Sequence, residues 1–323
     1  MLLPLTAIIL GFAIVIWSAD RFIAGAAGLA RNLGVSPMVI GLTIVGFGTS
    51  APEMLIAGFS AFEGSPGMAI GNAIGSNITN IALILGVTAL VAPLAVHSQT
   101  LRREMPLLIL ITLLVLALLY DGDLSRLDGI LLMGGLLVVM IWVIRTGLQS
   151  RDTSDPMEAE YEAEVPVLPM GKAVFWLVLG LVLLLASSRL AVWGAVEVAQ
   201  ALGVSDLIIG LTIIAIGTSL PELAASLVSA LKNEADIAIG NVIGSNMFNI
   251  LGVLALPGLI APGIFESAVL SRDYPVMLGL TVALLVMAYG FRGPGRINRL
   301  EGGILVACFV GYQALLFMSV SPG

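Results

Sequence analysis

The stretch Gly41-Leu-Thr-Ile-Val-Gly-Phe-Gly-Thr-Ser-Ala-Pro-Glu53 returns in the second half of the chain as Gly210-Leu-Thr-Ile-Ile-Ala-Ile-Gly-Thr-Ser-Leu-Pro-Glu222. The displacement that carries Gly41 onto Gly210 also aligns, without a gap, Gly71-Asn-Ala-Ile-Gly-Ser-Asn-Ile-Thr-Asn80 with Gly240-Asn-Val-Ile-Gly-Ser-Asn-Met-Phe-Asn249. Between Gly41 and Asn80, 20 of 40 positions match their counterparts in Gly210 to Asn249. The shared residues are mostly Gly, Thr, Ser, Pro, Glu and Asn. Helices that only face lipid need nothing but apolar side chains, whereas polar groups at membrane depth each need an internal partner. The chain therefore reads as a duplicated half with a polar centre.

The surroundings of the repeat are those of a membrane protein. Of 323 residues, 59% are hydrophobic and 11% charged, against roughly 25% charged in a soluble domain. Charge, Pro and Gly divide the chain into ten apolar segments: about 3–30, 36–63, 67–92, 104–120, 127–147, 172–200, 205–231, 236–261, 274–291 and 302–320. The first lacks the basic leader of a cleavable signal peptide and is read as a retained membrane helix.

Lys and Arg concentrate on the cytoplasmic side of membrane proteins. With the N-terminus outside, the inner loops and adjoining helix ends hold Arg31, Arg102, Arg103, Arg145, Arg151, Lys172, Lys232, Arg292, Arg296 and Arg299. The outer loops hold only Arg126 and Arg272, so both termini are expected outside. The expectation is an all-α integral membrane protein of ten transmembrane helices. Residues 1–147 form the first five-helix repeat and 172–323 the second, joined by a cytoplasmic linker, 148–171. The linker carries Asp152, Asp155, Glu158, Glu160, Glu162 and Glu164; it reads as a solvated, mobile segment, with a regulatory calcium site as the sharper alternative. Five helices per half force the second half into the bilayer in the opposite sense, the inverted-topology arrangement of secondary transporters.

Glu53 and Glu222 lie inside apolar segments, and no repeated Lys or Arg lies beside them in sequence. An unpaired charge there costs several kcal/mol, so bound cations or protons are expected to neutralise them; the alternative is a pair of protonated, hydrogen-bonded acids. Gly-Thr-Ser-x-Pro-Glu reads as a helix that breaks and restarts, with Ser capping the second half and Pro and Glu in its first turn. An ordinary proline kink is the plainer alternative. The break is expected to leave carbonyl oxygens free around Gly46 to Thr49 and Ala215 to Thr218, a donor set that suits calcium or sodium. Asn72, Ser76 and Asn80, and likewise Asn241, Ser245 and Asn249, fall at spacing four on one helical face, as ion ligands or interhelical hydrogen bonds. Gly71, Gly75, Gly240 and Gly244 read as close-packing positions. Asp20, Arg21 and Arg189 read as locally paired or snorkelling charges, and Glu63, Lys232, Glu234 and Asp236 as solvated loop charges.

These two blocks resemble the paired alpha-repeats of the sodium/calcium exchangers, within the cation/calcium antiporter superfamily, and the ten-helix layout is similar to that of prokaryotic members. The resemblance implies a secondary transporter that exchanges sodium for calcium by alternating access, with helices 2 and 7 broken at the ion site and helices 1 and 6 sliding across the rest. Glu53 and Glu222 would be shared calcium and sodium ligands, and the Thr49 and Thr218 carbonyls would complete the calcium shell. Ser50, Ser76, Ser219, Ser245 and the carbonyls of Gly46 and Ala215 would complete sodium sites, with Asn80 and Asn249 lining the centre. Some relatives carry Asp where this chain has Asn249, which leaves two carboxylates and makes potassium coupling less favoured; calcium/proton exchange on the same fold is the alternative.

The sequence also excludes classes. A net charge of −7 removes the basic footprint of a nucleic-acid binder. The one histidine, His97, lies in a loop, so neither His-Glu-x-x-His nor Ser-His chemistry is available and no enzyme is expected. Cys308, the one cysteine, excludes an intrachain disulfide. Expected partners are calcium and sodium as transported ions and the lipid of an inner (plasma) membrane, with no prosthetic group and no obligatory protein partner.

Overall fold

The computed structural model describes residues 2–35, 40–64, 66–96, 101–149, 168–202, 215–289 and 295–320. The linker acids, His97, Gly210 to Ile214, Arg151 and Arg292 lie outside the described residues. In chain order the helices are α1 (Leu2–Leu33), α2 (Gly41–Thr49), α3 (Ala51–Phe62), α4 (Pro66–Val91), α5 (Leu101–Leu118), α6 (Arg126–Gln149), α7 (Met170–Ala201), α8 (Ala215–Thr218), α9 (Leu220–Leu231), α10 (Ala235–Ile260), α11 (Val269–Tyr289) and α12 (Arg299–Val320). Eight are long and apolar enough to cross a bilayer, and the bent pair α2–α3 makes a ninth span. The expected segment 205–231 is described only from Ala215 onward. Helix α6 runs two residues beyond the expected start of the linker, and α7 begins two residues before its expected end.

The expectation of purely helical structure needs one correction. Strand β1 (Leu94–Val96) pairs antiparallel with β4 (Gly295–Ile297), and β2 (Asp123–Leu124) with β3 (Gly263–Ile264). Each ribbon joins two loops that charge counting had placed on the same side of the membrane, and it satisfies backbone groups where helices end.

Helices α1 and α7 are each 32 residues, about 48 Å at 1.5 Å per residue, longer than the roughly 30 Å hydrocarbon core. They pack antiparallel along their length, and glycine makes this possible. A Cβ on Gly11 would stand 2.8 Å from Ala191, and one on Gly180 would stand 2.6 Å from the Phe22 main-chain nitrogen. The displacement that carries Gly41 onto Gly210 also carries Gly11 onto Gly180 and Phe22 onto Ala191, so the contact is reciprocal. Gly25 against Leu177 and Gly194 against Pro4 and Ile8 repeat the pattern.

Two separate apolar cores result. One gathers Phe22, Ile23, Ala26, Ala173, Leu177 and Leu184 between α1 and α7 and extends to Val45 of α2, Ala225 of α9 and Ile237 of α10. The other runs through α4 and α10 to α5, α6, α11 and α12, around Ile78, Ile81, Leu85, Ile243, Met247 and Tyr274. Helices α4 and α10 are the most buried of the long helices. Large apolar side chains such as Leu114, Val138, Phe175 and Phe317 point outward, as a lipid-facing surface requires.

One loop departs from its sequence reading. Lys232 pairs with Asp20 at 2.8 Å, and Glu234 is buried. Burial pushes the Glu234 carboxyl up to about 7, with Asp20 adding to the rise and Lys232 opposing it.

Gly180→Val forces a methyl group into backbone that cannot yield, so it is expected to cost about 1–3 kcal/mol or more. Gly134→Val, where nothing stands within 4 Å, is expected to be near neutral; melting temperatures in detergent compare them. Because native Glu234 keeps its proton at pH values where the unfolded chain has lost it, its contribution is full below about 4.5 and is lost as pH rises through about 7. Glu234→Gln is expected to shrink the fall in melting temperature between pH 5 and pH 8 by a few degrees, roughly; an unchanged fall would contradict this.

Candidate ion site

The chain bends by 48° between α2 and α3. The break falls at Ser50 (φ −79°, ψ 3°), with Pro52 and Glu53 in the first turn of α3. The second copy breaks at Ser219 (φ −91°, ψ 7°), with Pro221 and Glu222 in the first turn of α9. Proline suits a position whose N–H is unpaired anyway, and an acid suits the positive end of a helix. Glu53 and Glu222 are each 1% exposed and close enough for their charges to act on each other. Thr49 and Ser50 stand beside the Glu222 carboxyl. Among the described residues neither glutamate has an ion-pair partner.

The break is built from both halves of the chain. Helix α2 crosses α10 where Gly46 meets Gly244 and Ser245, and a Cβ on Gly244 would collide with the Leu42 carbonyl oxygen. Thr49 Oγ1 donates to Asn241 Oδ1 at 3.1 Å and lies 3.3 Å from Ser245 Oγ. Asn241 Nδ2 donates to Ser226 Oγ at 2.9 Å and to the Glu222 carbonyl at 3.3 Å. In the other half Asn72 Nδ2 donates to the Glu53 carbonyl at 3.1 Å. Each glutamate's backbone is thus held by the asparagine 19 residues after it. Helices α4 and α10 widen into π-helical turns at Thr79–Leu85 and Asn249–Val253, beside Asn80 and at Asn249; such local widening is frequent at functional sites.

Two expectations are corrected. Neither Ser50 nor Ser219 caps the helix that follows it; both hydroxyls are buried without a well-aligned hydrogen bond among the described residues, Ser50 beside the Glu222 carboxyl. Nor is the Gly46 carbonyl free, since it accepts from the Ser50 main-chain N–H at 3.1 Å and from Ser245 Oγ at 3.3 Å. The 48° bend falls after that i→i−4 bond, which stays intact.

The remaining expected residues fall into place unevenly. Ser76 and Ser245 are buried on α4 and α10, Thr218 is half-buried at the end of α8, and Ala215 begins the described part of α8 with its side chain undescribed. Asn80 Nδ2 donates to Asn246 Oδ1 at 3.0 Å, while Asn80 Oδ1 and both polar atoms of the Asn249 amide have no partner. Together with Glu53 Oε2, both Glu222 carboxyl oxygens and the two serine hydroxyls, these are buried polar atoms without a well-aligned hydrogen bond among the described residues. Orphaned groups of this kind are rare and costly unless a ligand meets them. Asn246 and Ser226 were missed by the sequence reading. Asn246 sits in the repeated block and equals Asn77 of the first copy, but lies off the spacing-four stripe; nothing in the sequence marked Ser226.

The profile of the family described as Sodium/calcium exchanger protein matches residues 3–145 and 172–318, and the chain belongs to that family. It is 53% identical over 320 residues to the putative antiporter CaxA of Alkalimonas amylolytica, covering 99% of this chain and all of that one. It is 40% identical to the inner membrane protein YrbG of Escherichia coli K12, covering 98% of both, and 30% identical to the sodium/calcium exchanger MaX1 of Methanosarcina acetivorans, covering 96% and 97%. Among solved structures it is similar to the sodium-calcium exchanger NCX_Mj soaked with zero Na+ and Ca2+, with a TM-score of 0.83, 32% identity, and coverage of 98% of this chain and 99% of that one.

Because Ser50 and Ser219 make no capping bond to the helices that follow them, Ser50→Ala and Ser219→Ala are expected to lower ion-free stability by less than about 1 kcal/mol. Asn241→Ala, which unties Thr49 from the Glu222 backbone, is expected to cost about 1–3 kcal/mol. Thermal unfolding without sodium or calcium compares the three, and equal losses would contradict the assignment.

Proposed function

We propose that this protein exchanges sodium for calcium across an inner membrane by alternating access, the two ions competing for Glu53 and Glu222. The observation that carries the reading is the pair of repeat-related, buried carboxylates that have no ion-pair partner among the described residues, surrounded by serine and asparagine atoms that no described residue satisfies with a well-aligned bond. Calcium takes six to eight oxygens in flexible geometry, and such an array offers them without a third acid. The residues in contact with the ions are Glu53 and Glu222, with the carbonyls of Thr49 and Thr218 for calcium. Ser50, Ser76, Ser219 and the carbonyl of Ala215 serve sodium, as do Ser245 and the Gly46 carbonyl once they exchange their mutual hydrogen bond for the ion, and Asn80 and Asn249 line the centre. Solved structures of NCX_Mj include ones soaked with Na+ and Sr2+ and with Na+ and Ca2+.

The two halves, 1–147 and 172–323, are read as inverted repeats of five helices each. Support comes from the reciprocal contacts of Gly11 with Ala191 and Gly180 with Phe22, and from the matched bonds of Asn72 to Glu53 and Asn241 to Glu222. Both termini are placed outside and the linker in the cytoplasm, a placement supported by the charge bias and by the two ribbons between same-side loops.

Coupling follows from charge. Two carboxylates carry −2, which one calcium or two sodium ions neutralise. An empty site is costly to seal behind an apolar gate, whereas a filled one is not, so the site changes sides with one cargo or the other and not bare.

Sodium-loaded proteoliposomes diluted into sodium-free buffer are expected to take up radioactive calcium. Glu53→Gln and Glu222→Gln are each expected to reduce uptake to the level of protein-free vesicles. Full uptake in either variant would overturn the site; uptake driven by a proton gradient without sodium would assign the coupling to protons.

A further inference from the structure

The displacement that relates the two halves also relates four charges. Asp20 on α1 corresponds to Arg189 on α7, and Glu63 after α3 corresponds to Lys232 after α9. Both positions change sign between the halves, so each cross-pair, Asp20 with Lys232 and Arg189 with Glu63, remains attractive.

Only one of these pairs is closed. Lys232 Nζ lies 2.8 Å from Asp20 Oδ1 and also donates to the Asp20 carbonyl at 3.1 Å. Glu234, buried behind them, and Arg21, 3.9 Å from Asp20 and stacked over Trp17 and Trp176 at 5.7 and 5.1 Å, complete the charges around the pair. Arg189 and Glu63 are exposed and make no ion pair among the described residues. The backbone repeats the asymmetry. Helix α1 packs along α9, but α7 makes at most marginal contact with α3, its counterpart. The α1–α7 pair packs along its whole length, and its apolar core meets the other helices at Val45 of α2, Ala225 of α9 and Ile237 of α10, a seam along which the pair can shift as a unit.

Two halves built alike but packed differently imply a second arrangement with the roles exchanged. We propose that Asp20–Lys232 and Arg189–Glu63 are alternating ion-pair latches: the first holds the α1–α7 body against α9 in this state, and the second holds it against α3 in the oppositely facing state. The proposal rests on the alternating-access reading above. Pairs this exposed bias an equilibrium by a small factor instead of locking it, which suits a body that must keep moving.

The test is a pair of spin-label distances in the full chain carrying Cys308→Ser, reconstituted in lipid. Labels at Leu33 and Leu231 report the Lys232 side, and labels at Phe62 and Leu202 report the Glu63 side. These are exposed positions and counterparts under the same displacement. Lys232→Ala is expected to raise the population with long 33–231 and short 62–202 distances by about two- to fivefold. Arg189→Ala is expected to lower it by a similar factor, and the exchange Asp20→Lys with Lys232→Asp to restore the original proportions.

If wild-type protein shows both populations under saturating sodium or calcium but neither single variant changes their ratio, the latches are overturned while alternating access stands. The same holds if the exchanged pair transports yet does not restore the ratio. If wild type shows one population under every ion condition and no sodium-driven calcium uptake, the reading beneath the proposal fails with it.

Discussion

The structure is organised around two buried carboxylates with which no cationic side chain pairs among the described residues. Glu53 and Glu222 are as buried as the leucines and isoleucines of the core, and the cost of keeping ionised groups there is several kcal/mol even on lenient scales. A fold that only needed stability would replace them with apolar residues. The rest of the central architecture makes sense as support for that arrangement: the helix breaks that aim both glutamates inward, the asparagines that hold their backbones, and the glycine crossings that bring α2 to α10.

The polar shell divides into two classes with different physical roles. Thr49, Asn241, Ser226 and Asn72 are bonded to one another or to the backbone of the glutamates and give the site its rigidity. Ser50, Ser219, Asn80 and Asn249 keep polar atoms that the protein leaves unmatched, and these are suited to ions that come and go. A satisfied frame around unsatisfied oxygens combines preorganisation with a site that is not occupied by its own hydrogen bonds.

Much of this was legible in the sequence because it is local or repeated. The constant displacement between the two copies exposed the duplication, Gly-Thr-Ser-x-Pro-Glu announced both breaks, and burial of the two glutamates followed from their apolar setting. What failed depended on geometry that spacing does not carry. Whether Ser50 turns its hydroxyl to its own helix or to the site depends on the local backbone at the bend, and the Gly46 carbonyl stays bonded through Ser50 N–H and through Ser245 of the other half. Asn246 escaped notice because its partner, Asn80, lies 166 residues away. Lys232 and Glu234 looked like solvated loop charges, since nothing nearby in sequence shows that α1 passes beside them.

The central claim is that calcium and sodium occupy the same two carboxylates and therefore exclude each other. Equilibrium binding of radioactive calcium to the purified protein, titrated with sodium at constant ionic strength, tests it without a membrane or a gradient. The account predicts that sodium displaces bound calcium completely, and more steeply than one sodium ion per calcium requires. Calcium that stays bound at saturating sodium would show that the ions use separate sites, and the charge-competition mechanism would be wrong.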